Sequence, residues 1–265
     1  MTLEGSHMNR VTSKDGTWIA YERQGSGPAV ILVTGGLDDG TENAPLASEL
    51  AEHFTVYNYV RRGRGDSGNT LPYALEREIE DIEALIAEAG VSAHLYGVSS
   101  GGALVLEAAA VGVATEKLAM YEVPYSIGEA AAQRWQEYVE QLGPALAEGR
   151  RGDAIELFMR VAGSSEEDIA GAKRSPFWPA LEGLAHTLAY DAACLGDGRL
   201  PTARLATITQ PTLVATGGGA DFFEQAADAI AADLPQAERL TLEGQGHVVD
   251  PKALAPVLER FFRGD

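Results

Sequence analysis

Residues 97–101 read Gly-Val-Ser-Ser-Gly and stand between an apolar strand-like run and an apolar helix-like run. A serine at the apex of a tight strand-to-helix turn has a strained backbone, and a Cβ at the flanking positions would collide with neighbouring elements. Ser99 has a glycine two residues before it and two residues after it, whereas Ser100 has a valine at the first of these positions. Ser99 is therefore the candidate nucleophile, and Ser100 is a candidate backbone donor.

The chain around this turn alternates between short apolar runs and helical stripes. The strand-like runs are residues 29–33, 54–60, 93–96, 117–121, 211–215 and 239–242, and residues 10–24 have the pattern of a hairpin. From Pro124 to about Leu205 only helical spacing is found. This order predicts an α/β fold with a mostly parallel sheet, helices on both faces and one helical insertion. We assign 9–124 and 206–265 to the core and 125–205 to the insertion.

Charge limits the partners that this chain is expected to bind. It has 20 Lys and Arg residues and 39 Asp and Glu residues, which gives a net charge of −19. Nucleic acid and anionic membrane surfaces would be repelled by this charge. We therefore expect no nucleic acid and no membrane among its partners.

Targeting and cofactor signals are absent from the sequence. No apolar run reaches the roughly 18 residues of a membrane span, and no basic-then-apolar secretion signal begins the chain. Cys194 is the single cysteine, and no metal-binding spacing or nucleotide-binding glycine motif is found. We expect a cytoplasmic protein with no metal and no cofactor. Residues 1–8, reading MTLEGSHM, are interpreted as a cloning remnant.

The serine turn, the late Gly246-His247 pair and the alternating order of elements together resemble the α/β-hydrolase fold family. The resemblance extends from Val11 onward, apart from the insertion, which in that family forms a lid over the active site. It implies a nucleophile, an acid and a histidine in that chain order, so His247 is the expected proton acceptor for Ser99. The loop 61–68 is similar to the family's loop after its fourth strand, and we expect its arginines to tie loops together.

Two carboxylates could serve as the third member of the triad. The family's commoner acid follows the seventh strand, where Asp221 stands after Gly217-Gly218-Gly219-Ala220. Some relatives use the end of the sixth strand instead, and Glu122 stands there. A carboxylate at either position could hold the histidine tautomer and stabilise its charge. Both stay candidates, with a slight preference for Glu122. The alternative role of Glu122 is a salt bridge at the hinge of the lid, and that of Asp221 is a helix N-cap.

The resemblance also indicates where the substrate oxygen would be bound. In this fold the donors that stabilise the developing negative charge are backbone amides. Ser100, opening a helix, supplies one, and Gly36, in the turn after the third strand, inherits the other. Thr34 stands where the family usually has a histidine, so that turn lacks its usual supporting side chain.

The insertion is the expected specificity element, because lids close over the carboxyl ends of the strands. Its aromatic residues mainly have the pattern of lid core, although some could form an apolar wall to the substrate. Leu37, Phe177 and Trp178 are the candidate substrate-binding residues, and Phe158 is a further aromatic of the insertion.

The function predicted is that of a cofactor-independent serine hydrolase that cleaves a carboxylic ester, lactone or thioester through an acyl-enzyme. Its partner would be a small, partly apolar substrate, and a homodimer stays open. One alternative is a perhydrolase or a carbon–carbon bond hydrolase with the same triad. Another is a non-hydrolytic binding protein or biosynthetic cyclase in which the triad is idle.

Overall fold

Short buried strands build one central sheet in the computed structural model, which describes residues 8–264. Within that range the strands are β1 Asn9–Thr12, β2 Trp18–Gly25, β3 Ala29–Val33, β4 Thr55–Tyr59, β5 Ala93–Val98, β6 Thr115–Tyr121, β7 Thr212–Gly218 and β8 Ala237–Gln245. Their spatial order is β1-β2-β4-β3-β5-β6-β7-β8. β2 runs antiparallel to β1 and β4, and all other pairs are parallel. Of the interpreted cloning remnant, residues 1–7 lie outside the described residues.

Helices connect these strands and cover the sheet. They are α1 Ala44–Leu50, α2 Leu75–Ala89, α3 Ser100–Ala110, α4 Glu129–Ala147, α5 Arg151–Val161, α6 Glu166–Lys173, α7 Trp178–Leu184, α8 Leu188–Leu195, α9 Thr202–Leu205, α10 Asp221–Asp233 and α11 Pro251–Arg263. None of these described helices has the length and apolar content needed to cross a bilayer.

Alternating side chains of β3 show how the sheet is covered on both faces. Ile31 and Val33 belong to a core cluster that includes buried residues of α2 and α3. Val30 and Leu32 belong to a second cluster that includes buried residues of α1 and α11. Successive side chains of a strand point to opposite faces, so the two clusters are the two helical layers. The predicted fold class is confirmed.

The segment between β6 and β7 contains α4 to α9 and packs in two different ways. α8 contributes Leu188 and Cys194 to the same core cluster as α3. α5 and α7 instead supply Ile155 and Trp178 to a small separate cluster, against which Leu37 of the core packs. The carboxyl-terminal part of the predicted insertion is therefore joined to the main core, whereas α5 is shared, since its Ala154 belongs to the main cluster and its Ile155 to the small one.

The loop after β4 is built on buried arginines. Arg62 contacts the Asp81 carboxylate through two nitrogens, each at 2.7 Å, and the Asp15 carboxylate at 2.9 Å. Arg61 contacts both Glu78 carboxylate oxygens at 2.7 Å. Both arginine side chains are fully buried. The expectation that these arginines tie loops together is confirmed.

Candidate active site

Ser99 lies at the apex of the turn between β5 and α3, with φ 55° and ψ −127°. Such a backbone costs on the order of 1–3 kcal/mol in a residue other than glycine and persists only where its surroundings enforce it. A Cβ on Gly97 would lie 2.5 Å from the carbonyl oxygen of Gly101. A Cβ on Gly101 would collide with the carbonyl oxygens of Val33 and Thr34. Glycine at these two positions is what lets the strained turn close.

The same turn is fixed to the neighbouring strand. The Ser99 N–H donates to the carbonyl oxygen of Tyr121 at 2.9 Å, where β6 ends. Val98 and Tyr121 are register partners of β5 and β6, and adjacent strands lie about 4.8 Å apart. The residue after Tyr121 is Glu122. The candidate nucleophile and one candidate acid therefore leave the sheet side by side.

Glu122 contacts the imidazole of His247. The distance from its Oε2 to His247 Nδ1 is 2.7 Å, and its Oε1 accepts the Gly217 N–H at 3.0 Å. Glu122 is 3% exposed and has a left-handed φ of 49°. A carboxylate can only accept hydrogen bonds, so in a neutral imidazole this contact favours the tautomer with the proton on Nδ1 and a free lone pair on Nε2. This is the orientation that general-base chemistry at Nε2 requires.

Asp221 lies elsewhere. It is the exposed first residue of α10, whose N-cap is Ala220, and no described contact joins it to His247. β7 continues to Gly218, and the chain then turns directly into α10, so the carboxylate ends in the first helical turn. A negative charge is favourable there because of the helix dipole. Asp221 is therefore not the carboxylate beside His247, nor is it the N-cap of α10.

Two aromatic residues that the sequence did not single out hold the histidine loop. The Tyr121 hydroxyl donates to the carbonyl oxygen of Gly246 at 2.7 Å. The Phe223 ring stacks on the His247 ring with centroids 4.8 Å apart and planes at 9°. Phe223 had the pattern of an ordinary apolar helix position, and Tyr121 that of an ordinary strand position, so no sequence signal marked either of them.

The outer side of His247 is open. Its side chain is 44% exposed, and among the described residues no hydrogen bond joins it to Ser99 Oγ. Catalytic hydrogen bonds are often long in the absence of substrate and tighten in the substrate complex. A cleft of about 30 Å³ beside His247, lined also by Glu42, Tyr96 and Val98, has room for a water molecule.

The turn after β3 packs directly against Ser99. A Cβ on Gly35 would lie 3.0 Å from Ser99 Cβ and 3.7 Å from Ser99 Oγ. Gly36 follows in this turn, and Ser100 is the first residue of α3. The two expected donor residues thus lie on the two segments that meet at the serine hydroxyl.

The structure separates the three candidate substrate-binding residues. Leu37 is partly buried between the core and the small cluster of Ile155, Trp178 and Ala185. Trp178 is buried in that cluster, whereas the Phe177 side chain is 73% exposed. Phe177 and Trp178 therefore do not form one apolar wall. Phe158 is placed closer to the chemistry, since its Cζ lies 3.5 Å from the position of a Cβ on Gly36.

Over residues 8–264, no group of three or more His, Cys, Asp or Glu side chains is arranged to hold a metal ion.

Comparison with known proteins gives consistent matches. Residues 30–257 match the model of the alpha/beta hydrolase family. The crystal structure of an alpha/beta hydrolase from Sphaerobacter thermophilus DSM 20745 is 48% identical, with a TM-score of 0.88, and covers 96% of this chain and 100% of that one. A pimeloyl-[acyl-carrier protein] methyl ester esterase of Xanthomonas campestris pv. campestris is 32% identical over 239 residues, 84% of this chain and 89% of the relative. An N-formylmaleamate deformylase of Pseudomonas putida is 32% identical over 152 residues, 55% of this chain and 56% of the relative.

Proposed function

This chain belongs to the alpha/beta hydrolase family, and from that premise we propose that it is a cofactor-independent serine hydrolase. Its substrate would be a carboxylic ester, lactone or thioester with a partly apolar acyl or alcohol part. Ser99, His247 and Glu122 would be the catalytic residues, and the amides of Gly36 and Ser100 would bind the oxyanion.

The observation that carries this proposal is the contact of 2.7 Å between Glu122 Oε2 and His247 Nδ1. A buried carboxylate at this distance selects the imidazole tautomer that can accept a proton at Nε2. Glu122 follows Tyr121, whose carbonyl oxygen accepts the Ser99 N–H, and this adjacency supports a pairing of that imidazole with the candidate nucleophile. A histidine with only a structural role would not need this orientation.

The reaction would have two steps. Ser99 Oγ attacks the acyl carbon while its proton passes to His247 Nε2, and the negative charge on the carbonyl oxygen is met by the amides of Gly36 and Ser100. His247 then protonates the leaving oxygen or sulfur, and an acyl-enzyme forms. Water then gives one proton to His247 as its oxygen attacks the acyl carbon. The bond between Ser99 Oγ and that carbon breaks, His247 returns the proton to Ser99 Oγ, and the carboxylic acid leaves.

The substrate class is supported by the surroundings of the site. Leu37 and Phe158 are apolar and lie at the turn that carries Gly36, which favours a partly apolar substrate. The net charge of −19 disfavours large polyanions. A relative that is 32% identical is named as a methyl ester esterase, which supports ester cleavage in particular.

A panel of p-nitrophenyl esters and lactones tests the proposal on the wild type and on Ser99→Ala, Glu122→Gln and Asp221→Asn. We expect Ser99→Ala to lose at least about 10⁴-fold in kcat and Glu122→Gln to lose about 10³-fold to 10⁴-fold. Asp221→Asn is the matched carboxylate control and should keep the wild-type rate. Full turnover by Ser99→Ala, or a larger loss in Asp221→Asn than in Glu122→Gln, would overturn the assignment.

We also propose a cytoplasmic location. Cys194 is the single cysteine of the sequence, so no intramolecular disulfide can form, which suits a reducing compartment. Cell fractionation tests this: recovery in a periplasmic or membrane fraction would contradict it.

A further inference from the structure

Asp191 of α8 reaches out of the predicted insertion to the turn beside the nucleophile. Its side chain is 6% exposed. The Oδ1 atom accepts three hydrogen bonds, each at 2.7 Å, from Arg61 Nη1, Arg64 Nη2 and the Ser100 hydroxyl. Charge-assisted bonds of this length are the strong class. One carboxylate oxygen therefore connects the insertion, the loop after β4 and the residue that follows Ser99.

Arg61 and Arg64 also bind the turn after β3. Arg64 Nη1 donates to the carbonyl oxygens of Gly35 and Asp38, and Arg61 Nη1 donates to the carbonyl oxygen of Thr34 at 3.2 Å. These bonds support a turn in which Thr34 stands where the family usually has a histidine. Guanidinium groups here hold the backbone that such a side chain would otherwise hold.

The bond to Gly35 fixes the direction of the first oxyanion donor. The Gly35 carbonyl and the Gly36 N–H belong to one planar trans peptide unit, so they point in opposite directions. Anchoring the carbonyl on Arg64 therefore sets where the Gly36 N–H points. A positive charge on the carbonyl side also polarises this peptide unit and makes its N–H a stronger donor.

The second donor is tied to the same oxygen. Ser100 carries the other oxyanion amide, and its hydroxyl donates to Asp191 Oδ1. The supports of both donors therefore meet at one atom. Since that atom belongs to α8, the spacing between the two donors depends on how α8 is seated.

A purely stabilising role explains this cluster poorly. Arg61, Arg64, Glu78 and Asp191 are four charged side chains withdrawn from water, and their charges cancel. Buried ion pairs seldom stabilise a fold more than apolar residues of the same volume would. Three of them, Arg61, Arg64 and Asp191, instead contact the turn after β3 or Ser100, which favours a role in positioning those residues.

We propose that Asp191 is a positioning residue, which together with Arg64 sets the geometry of the oxyanion hole and makes that geometry depend on the seating of α8. This inference rests on the proposed hydrolase function. Under this proposal α8, which lies in the carboxyl-terminal part of the predicted insertion, has a direct effect on the rate of the chemical step.

The test compares Asp191→Asn with Asp81→Asn. Asp81 forms the neighbouring buried pair with Arg62 of the same loop, but it has no described contact with residues 34–36 or Ser100. For each variant we would measure kcat and KM on a p-nitrophenyl ester, the affinity for a trifluoromethyl ketone that forms a tetrahedral adduct with Ser99, and the melting temperature. Asn is chosen over Ala because it keeps an oxygen that can still accept from Arg61, Arg64 and Ser100, whereas Ala would remove the acceptor altogether.

We expect Asp191→Asn to lower kcat by about 10-fold to 100-fold, with KM changed less than about twofold, because the loss falls on the transition state. Affinity for the ketone should fall by the same factor as kcat/KM. Asp81→Asn should lower the melting temperature and keep kcat and ketone affinity. If Asp191→Asn does not fold, Ser100→Ala decides, since it removes one hydroxyl and should lower kcat about threefold to tenfold.

The inference is overturned if Asp191→Asn, or Ser100→Ala in its place, keeps wild-type kcat and ketone affinity. It is equally overturned if Asp81→Asn loses as much kcat as Asp191→Asn. Failure of the proposed function gives a different result: the wild type would cleave no ester, and a fluorophosphonate would not label Ser99. In that case the positioning role falls together with the function.

Discussion

Gly217 donates its N–H to Glu122 Oε1 at 3.0 Å, while the other oxygen of the same carboxylate contacts His247. The backbone of β7 thus fixes one side of the carboxylate, and its free side is presented to the imidazole. Glu122 follows β6, and its carboxylate is held by the neighbouring strand β7. In the family, the commoner position of the acid is after β7.

A methyl group at this glycine should disturb the site. In Gly217→Ala the new Cβ would lie 2.5 Å from the Tyr121 hydroxyl and would collide with the carbonyl oxygen of Gln245. The segment that leads to His247 would have to move, and displacements of about 1 Å near the chemistry cost on the order of 10²-fold in rate. We expect such a loss in kcat on a p-nitrophenyl ester.

Gly219→Ala is the control for this effect, because its Cβ would meet the Gln245 carbonyl oxygen only at 3.4 Å, an ordinary contact. It should keep the wild-type kcat. Equal losses in the two variants would show that the strand end tolerates no added methyl group and that the collision at residue 217 is not the cause.

Tyr121→Phe should weaken the histidine loop by one hydrogen bond. The hydroxyl donates to Gly246 O at 2.7 Å, and such a bond contributes about 1 kcal/mol. We expect kcat/KM to fall about threefold to tenfold, measured with the same ester. An unchanged kcat/KM would mean that the loop is held by its other contacts.

Tyr59→Phe provides the comparison. The Tyr59 hydroxyl is buried and has no hydrogen-bond partner among the described residues. Removing it should leave activity unchanged and should raise the free energy of unfolding by up to about 1 kcal/mol. Urea denaturation measures this, and a clear destabilisation would contradict the expected effect.

The turn at Ser99 should be intolerant of added volume. A Cβ in Gly101→Ala would collide with two backbone carbonyl oxygens, which cannot move aside as a side chain can. We expect a loss of about 2–3 kcal/mol in the free energy of unfolding, together with loss of activity. In Gly171→Ala, by contrast, the Cβ within α6 would meet nothing within 4 Å, so the better helix former should stabilise the protein by up to about 1 kcal/mol.

Stability should fall with decreasing pH through His94. Burial lowers the pKa of this histidine from its ordinary value of 6.5, against a smaller opposing effect of Glu116. The folded protein therefore binds the proton less readily than the unfolded chain does. The contribution of neutral His94 to the free energy of unfolding is fully present above pH 6.5 and is lost as the pH falls below that value.

Urea denaturation at pH 7.5 and pH 5.5 measures this dependence. In His94→Phe, where a ring remains to pack against Phe262, the loss of stability between these two pH values should be smaller than in the wild type. His53→Ala, at an exposed histidine, should keep the wild-type loss. An identical loss in His94→Phe and the wild type would exclude His94 as its source.

Sequence reasoning succeeded where the physical constraint is local. Apolar runs marked the central strands to within a few residues, as for β3 at Ala29–Val33, because burial on both faces leaves few alternatives. The tight turn at Ser99 could be predicted because its steric demands fall on residues within three positions of that serine.

Sequence reasoning left the acid open for a physical reason. Glu122 and Asp221 both follow strands whose carboxyl ends lie at the same edge, so chain order alone treats them alike. The difference comes from the left-handed backbone at Glu122, which brings its carboxylate to the Gly217 N–H and to His247. Asp221 instead begins a helix.

Long-range polar contacts were beyond sequence reasoning. Asp191 lies 91 positions from Ser100 and stands within a helical stripe, where a charge usually marks the solvent face. In α8 it marks a buried contact, because three donors from other segments meet it. Phe177 and Trp178 were also beyond sequence reasoning, because adjacent residues of similar type differ in burial. Trp178 is buried in the cluster with Ile155, whereas Phe177 is exposed.

The attachment of Asp191 to α8 has a consequence for recombining related hydrolases. A chimera that takes residues 125–187 from another protein would keep the native partners of both arginines, whereas one that extends to 195 would import whatever residue the donor has at 191. Arg64 would then lose its described carboxylate partner, and Arg61 would be left with Glu78. Crossover points for exchanging substrate preference in this scaffold should therefore precede Leu188.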